Sequence, residues 1–263
     1  MRKWQHSGIL FLMILLIILS GCTKKETIIK ETDPTPTKRV ARILVVNDEL
    51  SPVLNFVGQG LAKLQTTRSF YYKTATSIDN FNDLAATGYW DLFVVNNTST
   101  SHLQLLNNIK NHIDGGGGVV FTSFQMLGST HRVWASLGAS FGILSTAVAD
   151  NYRWDPGNAI FTTPYSVPDM TGMTNFKGFG NCIIRGTQLA GCSAVAGSTA
   201  SSQSDQATIF VANEGRTVLN SFMIDCMADA VGAPRDNDSD GVADAVELWA
   251  NEINYVLDAC WCM

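Results

Sequence analysis

Residues 236–247 read DNDSDGVADAVE and carry five acids and no base. Asp236, Asp238, Asp240, Asp244 and Glu247 stand at positions 1, 3, 5, 9 and 12 of this stretch, with Gly241 at position 6. Ca²⁺ takes roughly six to eight oxygens, and this spacing supplies them from the carboxylates and the carbonyl of Val242 at position 7. Gly241 permits the sharp turn such a loop needs, and Glu247 can bind with both oxygens from the first turn of a following helix. Read without a metal, the same residues make a solvated acidic turn with a capping carboxylate. The expected cofactor is Ca²⁺.

A second group of chemically capable residues depends on how the chain is laid out. Ala41–Asn47 is a nearly continuous β-branched run, as expected of a strand covered on both faces. Val53, Leu54, Val57, Leu61 and Leu64 recur at helical steps, with Pro52 placed in the first turn. Phe70–Ala75 and Asp91–Asn96 read as strands, with a weaker helix at Phe81–Leu84 between them. Leu103, Leu106, Ile109 and Ile113 form a helical stripe that stops at Gly115–Gly118, and Val119–Thr122 is the next strand. Val133, Trp134 and Leu137 suggest a further helix. Residues 139–206 read as irregular, with short strands near Ile160 and Cys182 and a low-complexity loop at Ala194–Gln206. Strands at Ala207–Val211 and Thr217–Ile224 and a helix over Asp244–Asp258 complete the order.

Such alternation implies a parallel sheet with helices on both faces, and open parallel sheets bind ligands beyond the carboxyl ends of their strands. That edge gathers Asn47, Asp48 and Glu49, then Asn96 and Asn97, then Ser123 and Gln125, and last Asp225. Two carboxylates among amides could do acid/base work on a sugar or another polar ligand. They could equally be helix caps and turn residues, which occupy these positions in any such sheet.

The strands at 40–47 and 91–96, the Asp114–Phe121 glycine turn and the Gly215–Phe222 strand with its terminal helix together resemble the class I glutamine amidotransferase-like fold, especially its ThuA-like branch. The resemblance covers about residues 40–140 and 207–258. It implies an α/β three-layer sandwich with a mainly parallel, flavodoxin-like sheet. It does not carry the amidotransferase chemistry with it. That chemistry needs a cysteine at the turn after a central strand and a downstream histidine. Here the matching stretch, 121–128, reads FTSFQMLG without cysteine, and the last of the four histidines is His131. Ser123 is left as a weak candidate nucleophile, and no Gly-x-Ser-x-Gly surrounds it. The acidic loop, preceded by Pro234 instead of an entering helix, resembles the half EF-hand loops of dockerins and thrombospondin type 3-like repeats in secreted proteins.

The first 22 residues read as an address. Arg2 and Lys3 precede eleven unbroken apolar residues, Ile9–Leu19. That run is too short to span a bilayer and suits a secretory signal. It ends Leu19-Ser20-Gly21-Cys22, which resembles the lipobox of bacterial lipoproteins and implies cleavage after residue 21 and acylation of Cys22. Residues 22–39 are polar and carry Pro34 and Pro36, a tether able to span at most ~60 Å. Residues 40–263 form the α/β domain. The expected location is the cell envelope, lipid-anchored, at the outer membrane if the host is Gram-negative.

Five cysteines remain after lipidation, and Cys182 with Cys192 is the best local pair in an exported chain. The partners of Cys226, Cys260 and Cys262 stay open. A net charge of −5 argues against a nucleic-acid partner. Two function classes fit: a calcium-stabilised, non-catalytic domain displayed on a membrane and binding a glycan or partner protein, or a carboxylate-dependent hydrolase or sugar-processing enzyme.

Overall fold

The computed structural model describes residues 39–48, 54–97, 102–123, 131–141, 150–172, 183–228 and 233–261. The chain divides after Arg39, and every described element falls in the second unit, Val40–Met263. In chain order these are β1 (Ala41–Asp48), α1 (Phe56–Gln65), β2 (Phe70–Ala75), α2 (Ile78–Thr87), β3 (Leu92–Asn97), α3 (Leu103–Asp114), β4 (Gly118–Thr122) and α4 (Arg132–Ser136). There follow β5 (Ala139–Ser140), β6 (Tyr152–Arg153), α5 (Ala159–Thr162), β7 (Thr187–Gln188), β8 (Ser193–Gly197), β9 (Ala207–Ala212), β10 (Thr217–Asn220) and α6 (Asp244–Trp261). Among the described residues no helix is long and apolar enough to cross a membrane.

Eight strands form one sheet in the order β2-β1-β3-β4-β10-β9-β8-β6. The five strands from β2 to β10 run parallel, while β9, β8 and β6 add an antiparallel wing. The architecture is the expected α/β sandwich with a mainly parallel sheet. Period-two alternation splits each strand between two cores. Ile43, Val45, Leu92, Val94, Val120 and Val218 face α1, α5 and α6. Leu44, Val46, Phe93, Val95, Val119, Phe121 and Leu219 face α2, α3 and α4. A strand that must bury both faces has no room for polar alternation, hence the β-branched runs.

The glycine run does what a helix end requires. Backbone amides of Gly115, Gly116 and Gly117 donate to the carbonyls of Asn111, Ile113 and His112, and Gly116 takes φ +86°. This closes α3 and turns the chain into β4. Gly118 then lets α6 lie close, since a Cβ there would sit 2.7 Å from Val256 Cγ1 and 2.8 Å from Cys260 Sγ.

Several boundaries differ from the sequence reading. α1 begins at Phe56 because the Asn55 side chain accepts from the Gly58 amide and caps it there. Pro52 and Val53 lie outside the described residues. The segment at Ile160 is a turn of helix capped by Asn158, not a strand. Ser193–Gly197 is a strand inside the expected loop. Its buried Val195 and Ala196 are too small to announce themselves by hydrophobicity, and pairing with β9 fixes them. β10 stops at Asn220, and Ile224–Cys226 is a 3₁₀ turn.

Candidate metal centre

The acidic loop joins the last strand to the last helix. It is entered from a β-bridge between Ala228 and Pro234, and the described residues 233–235 before Asp236 are not helical. Its backbone is wound around its own carboxylates. Asp236 accepts from the amides of Asp240 at 3.1 Å and Gly241 at 2.9 Å. Asp240 accepts from the Val242 amide at 2.8 Å, and Asp244 from the Asn237 amide at 3.2 and 3.3 Å. Gly241 sits at φ +90° with nothing within 4 Å of an added Cβ, so the requirement for glycine is conformational.

The carboxylates converge as their spacing predicts. Ligand atoms of Asp236, Asp238 and Asp244 lie within 4.8 Å of one another, as do those of Asp238, Asp240 and Glu247. Asp236, Asp238 and Asp240 are partly or fully exposed, whereas Asp244 and Glu247 are buried. Glu247 is 1% exposed and its Oε2 has no hydrogen-bond partner among the described residues. Burial raises its carboxyl to about 7, and the nearby Asp240 charge adds to this while Lys63 opposes it. Burial likewise raises Asp244 to about 6, with Asp238 and Asp236 adding and the Asn237 amide opposing. Leaving a buried carboxylate oxygen without a donor costs free energy, and the charges of Asp238, Asp240 and Asp244 nearby add to the cost. The cluster could hold a metal ion, and the orphaned Glu247 oxygen is the atom such an ion would satisfy.

The carboxyl edge of the sheet also assembles. Asn47, Asn96, Thr122 and Asn220 are register partners across β1, β3, β4 and β10, forming one polar row on the α6 side. Asn96 Nδ2 donates to Asn47 Oδ1 at 3.0 Å and reaches Asp225 at 3.3 Å. Asn220 Nδ2 donates to Thr122 Oγ1 at 3.3 Å and to Glu252 Oε2 at 2.7 Å. Asn96, Ser123 and Asp225 are buried and Asp48 is half-buried. Ser123 Oγ has no hydrogen-bond partner among the described residues. His131 instead caps α4 and meets Asn107, and His112 stacks on Phe93 with ring centroids 3.8 Å apart. Glu49 and Gln125 lie outside the described residues, as do Cys22, Cys182 and Cys262; of Asn97 and Cys226 only the backbone is described. The pairing of Cys182 with Cys192 therefore falls on an undescribed partner.

Sequence reasoning missed Glu252. It sits on the sheet-facing stripe of α6, between Trp249 and Ile253, fully buried, with its carboxyl pushed up to about 8 by burial against the Asn220 hydrogen bond. A lone acid on an apolar stripe was the available signal. Asn251, beside it, holds α5 in place by donating to the carbonyls of Ile160 and Tyr165.

No family model matches this chain, and no curated protein does. Solved structures do. A thua-like protein from Bacteroides uniformis superposes with a TM-score of 0.51 at 9% identity, over 82% of this chain and 91% of that one. The fold is similar to that of this thua-like protein. The alpha-L-fucosidase isoenzyme 2 of Paenibacillus thiaminolyticus gives 0.49 at 10% identity, over 83% of this chain and 33% of its own. The glutaminase domain of Trypanosoma brucei CTPS gives 0.44 at 8% identity, over 83% and 94%. At such identities the ThuA-like match speaks for the fold alone.

Proposed function

We propose that this protein is a lipid-anchored, calcium-stabilised binding domain of the cell envelope, with a glycan or a partner protein as ligand, and without catalysis of its own. The observation that carries the calcium part is the buried Glu247 carboxylate with an orphaned oxygen, facing Asp238 and Asp240. All-oxygen donors at this spacing suit Ca²⁺ better than Mg²⁺, which demands a tighter octahedral shell. Zn²⁺ prefers nitrogen and sulfur, and no histidine or cysteine belongs to either ligand group. Absence of catalysis is supported by the amidotransferase cysteine being replaced in the Phe121–Gly128 stretch. It is supported as well by Ser123, whose hydroxyl has no base within hydrogen-bond reach among the described residues. Anchoring is supported by the Leu19–Cys22 sequence alone.

Calcium is tested by titrating Ca²⁺ into chelator-treated protein in a calorimeter. One site per chain is expected, lost in Glu247→Gln and Asp236→Ala; absence of binding heat at millimolar Ca²⁺ would refute it. Anchoring is tested by labelling with a fatty acid: Cys22→Ala should take up none and leave the membrane fraction. The enzyme alternative would be revived by any hydrolytic activity that Ser123→Ala reduces by orders of magnitude without loss of folding.

A further inference from the structure

Three of the four large hydrophobic side chains exposed among the described residues fall in one place. They are Val40 at 52%, Tyr71 at 49% and Tyr89 at 77%; Leu103 lies apart at the start of α3. Val40 and Arg42 share a face by strand alternation, and Arg42 pairs in register with Tyr71 on the edge strand β2. The Arg42 guanidinium stands 6.0 Å from the centre of the Tyr71 ring and 5.1 Å from that of Trp90. Asp91 closes the patch, donating its amide to the Arg42 carbonyl and accepting from the Arg42 amide at 2.8 Å. The result is a run of tyrosine and aliphatic surface beside the half-buried Trp90, whose indole N–H donates to the Leu84 carbonyl at 2.9 Å, with a guanidinium laid between the rings. Lys73, exposed on the same strand face as Tyr71, adds a second positive charge.

What covers this patch is indicated by where the chain comes from. The tether from Cys22 enters the domain at Val40, a member of the patch itself. Eighteen residues hold the domain within ~60 Å of the anchored cysteine, so any membrane affinity of the patch acts at high effective concentration. Tyrosine favours the bilayer interface, where the ring is half-wetted and the hydroxyl reaches headgroups, and the half-buried Trp90, its N–H held by the Leu84 carbonyl, offers the exposed part of its ring beside them. An arginine beside them can bury its stem and keep its charge among phosphates. We propose that Val40, Tyr71, Tyr89 and Trp90, with Arg42 among them, are the face by which the domain lies on the bilayer that carries its acyl chains. This rests on the lipid-anchor reading above.

Docking here fixes an orientation. The patch lies at the amino ends of β1 and β2. α6 has Cys260, near its end, against Gly118 at the start of β4, so its first turn and the acidic loop lie toward the carboxyl ends of the strands. A domain resting on the aromatic patch turns the loop and the Asn47–Asn220 row away from the membrane, toward whatever the protein meets.

The test uses the lipidated full chain in vesicles of phosphatidylethanolamine and phosphatidylglycerol, some with bromine placed high on the acyl chains to quench tryptophan. Flotation reports the anchor, and quenching reports the docking. Wild type should float and be quenched. Trp90→Phe should lose at least half of that quenching, and so should Tyr71→Ser/Tyr89→Ser, whose side chains are exposed and can change without loss of fold; both should float as before. Protein that floats without quenching, or quenching that survives in both variants, overturns the docking and leaves the anchor standing. Wild type that does not float overturns the anchor and the docking with it. A patch that is unquenched yet is shielded by added polysaccharide belongs to a glycan site, and that also overturns the proposal.

Discussion

Glu252 and Glu247 are two glutamates five residues apart on one helix, and both are buried; they differ in what faces them. Glu247 meets carboxylates, so its oxygen calls for a cation. Glu252 lies among apolar side chains, where burial favours the protonated form even though the Asn220 amide, donating to its Oε2, favours the charged one. With its carboxyl raised from 4.5 to about 8, the native state keeps a proton that the unfolded chain releases. Its contribution to stability is therefore full below about pH 4.5 and is lost as pH rises through about 8. Glu252→Gln should remove that slope. Urea denaturation of both proteins at pH 5 and pH 9 should give a stability difference that moves toward the variant by on the order of a few kcal/mol; parallel behaviour at both values would show that Glu252 does not titrate in this range. Asn96 makes the complementary case. Asn96→Asp replaces a donor to Asp225 by a second buried carboxylate, and should cost about 2–4 kcal/mol at pH 7 and less at pH 5, read from the same denaturation curves.

The helix that carries these residues is also where reading from sequence succeeded and failed. Its start, its apolar stripe and the gathering of acids at its first turn are local properties, and all were legible. The Asn220–Glu252 pair was not, because it joins residues 32 apart whose meeting depends on sheet register. The same distinction separates β1–β4 from β8 and α5. Long β-branched runs state their burial locally, whereas Ser193–Gly197 is a strand only because β9 pairs with it. One contact of α6 was equally invisible: Gly60 of α1 packs where a Cβ would fall 2.9 Å from Trp249 Cβ and 3.0 Å from the Val246 carbonyl. Backbone on one side cannot yield as a side-chain tip can. Gly60→Ala should therefore destabilise the domain by roughly 1–3 kcal/mol despite its better helix propensity, measured as a lowered urea midpoint. A neutral or stabilising result would mean that the two helices separate at little cost.

At the scale of the whole domain, one α/β sandwich presents two ends. The amino end of the sheet exposes aromatic surface around Val40 and Tyr71; the carboxyl end carries the polar row and the acidic loop. The loop is the connection between the last strand and α6, and α6 contributes to the core over the whole face that it shares with α1 and α5. Relief of carboxylate repulsion there would fasten that helix and, through Asn251, the α5 segment. A cation bound at about 100 times its dissociation constant adds ~2.7 kcal/mol, which for a domain of this size is a melting shift of about 5–10 °C. The decisive measurement is the melting temperature of the intact protein in excess Ca²⁺ and in excess chelator at low salt, beside Glu247→Gln. A drop of several degrees on chelation, restored by Ca²⁺ but poorly by Mg²⁺ and missing in the variant, is the predicted result. Identical melting curves in both conditions, with no metal found on the protein by elemental analysis, would contradict it.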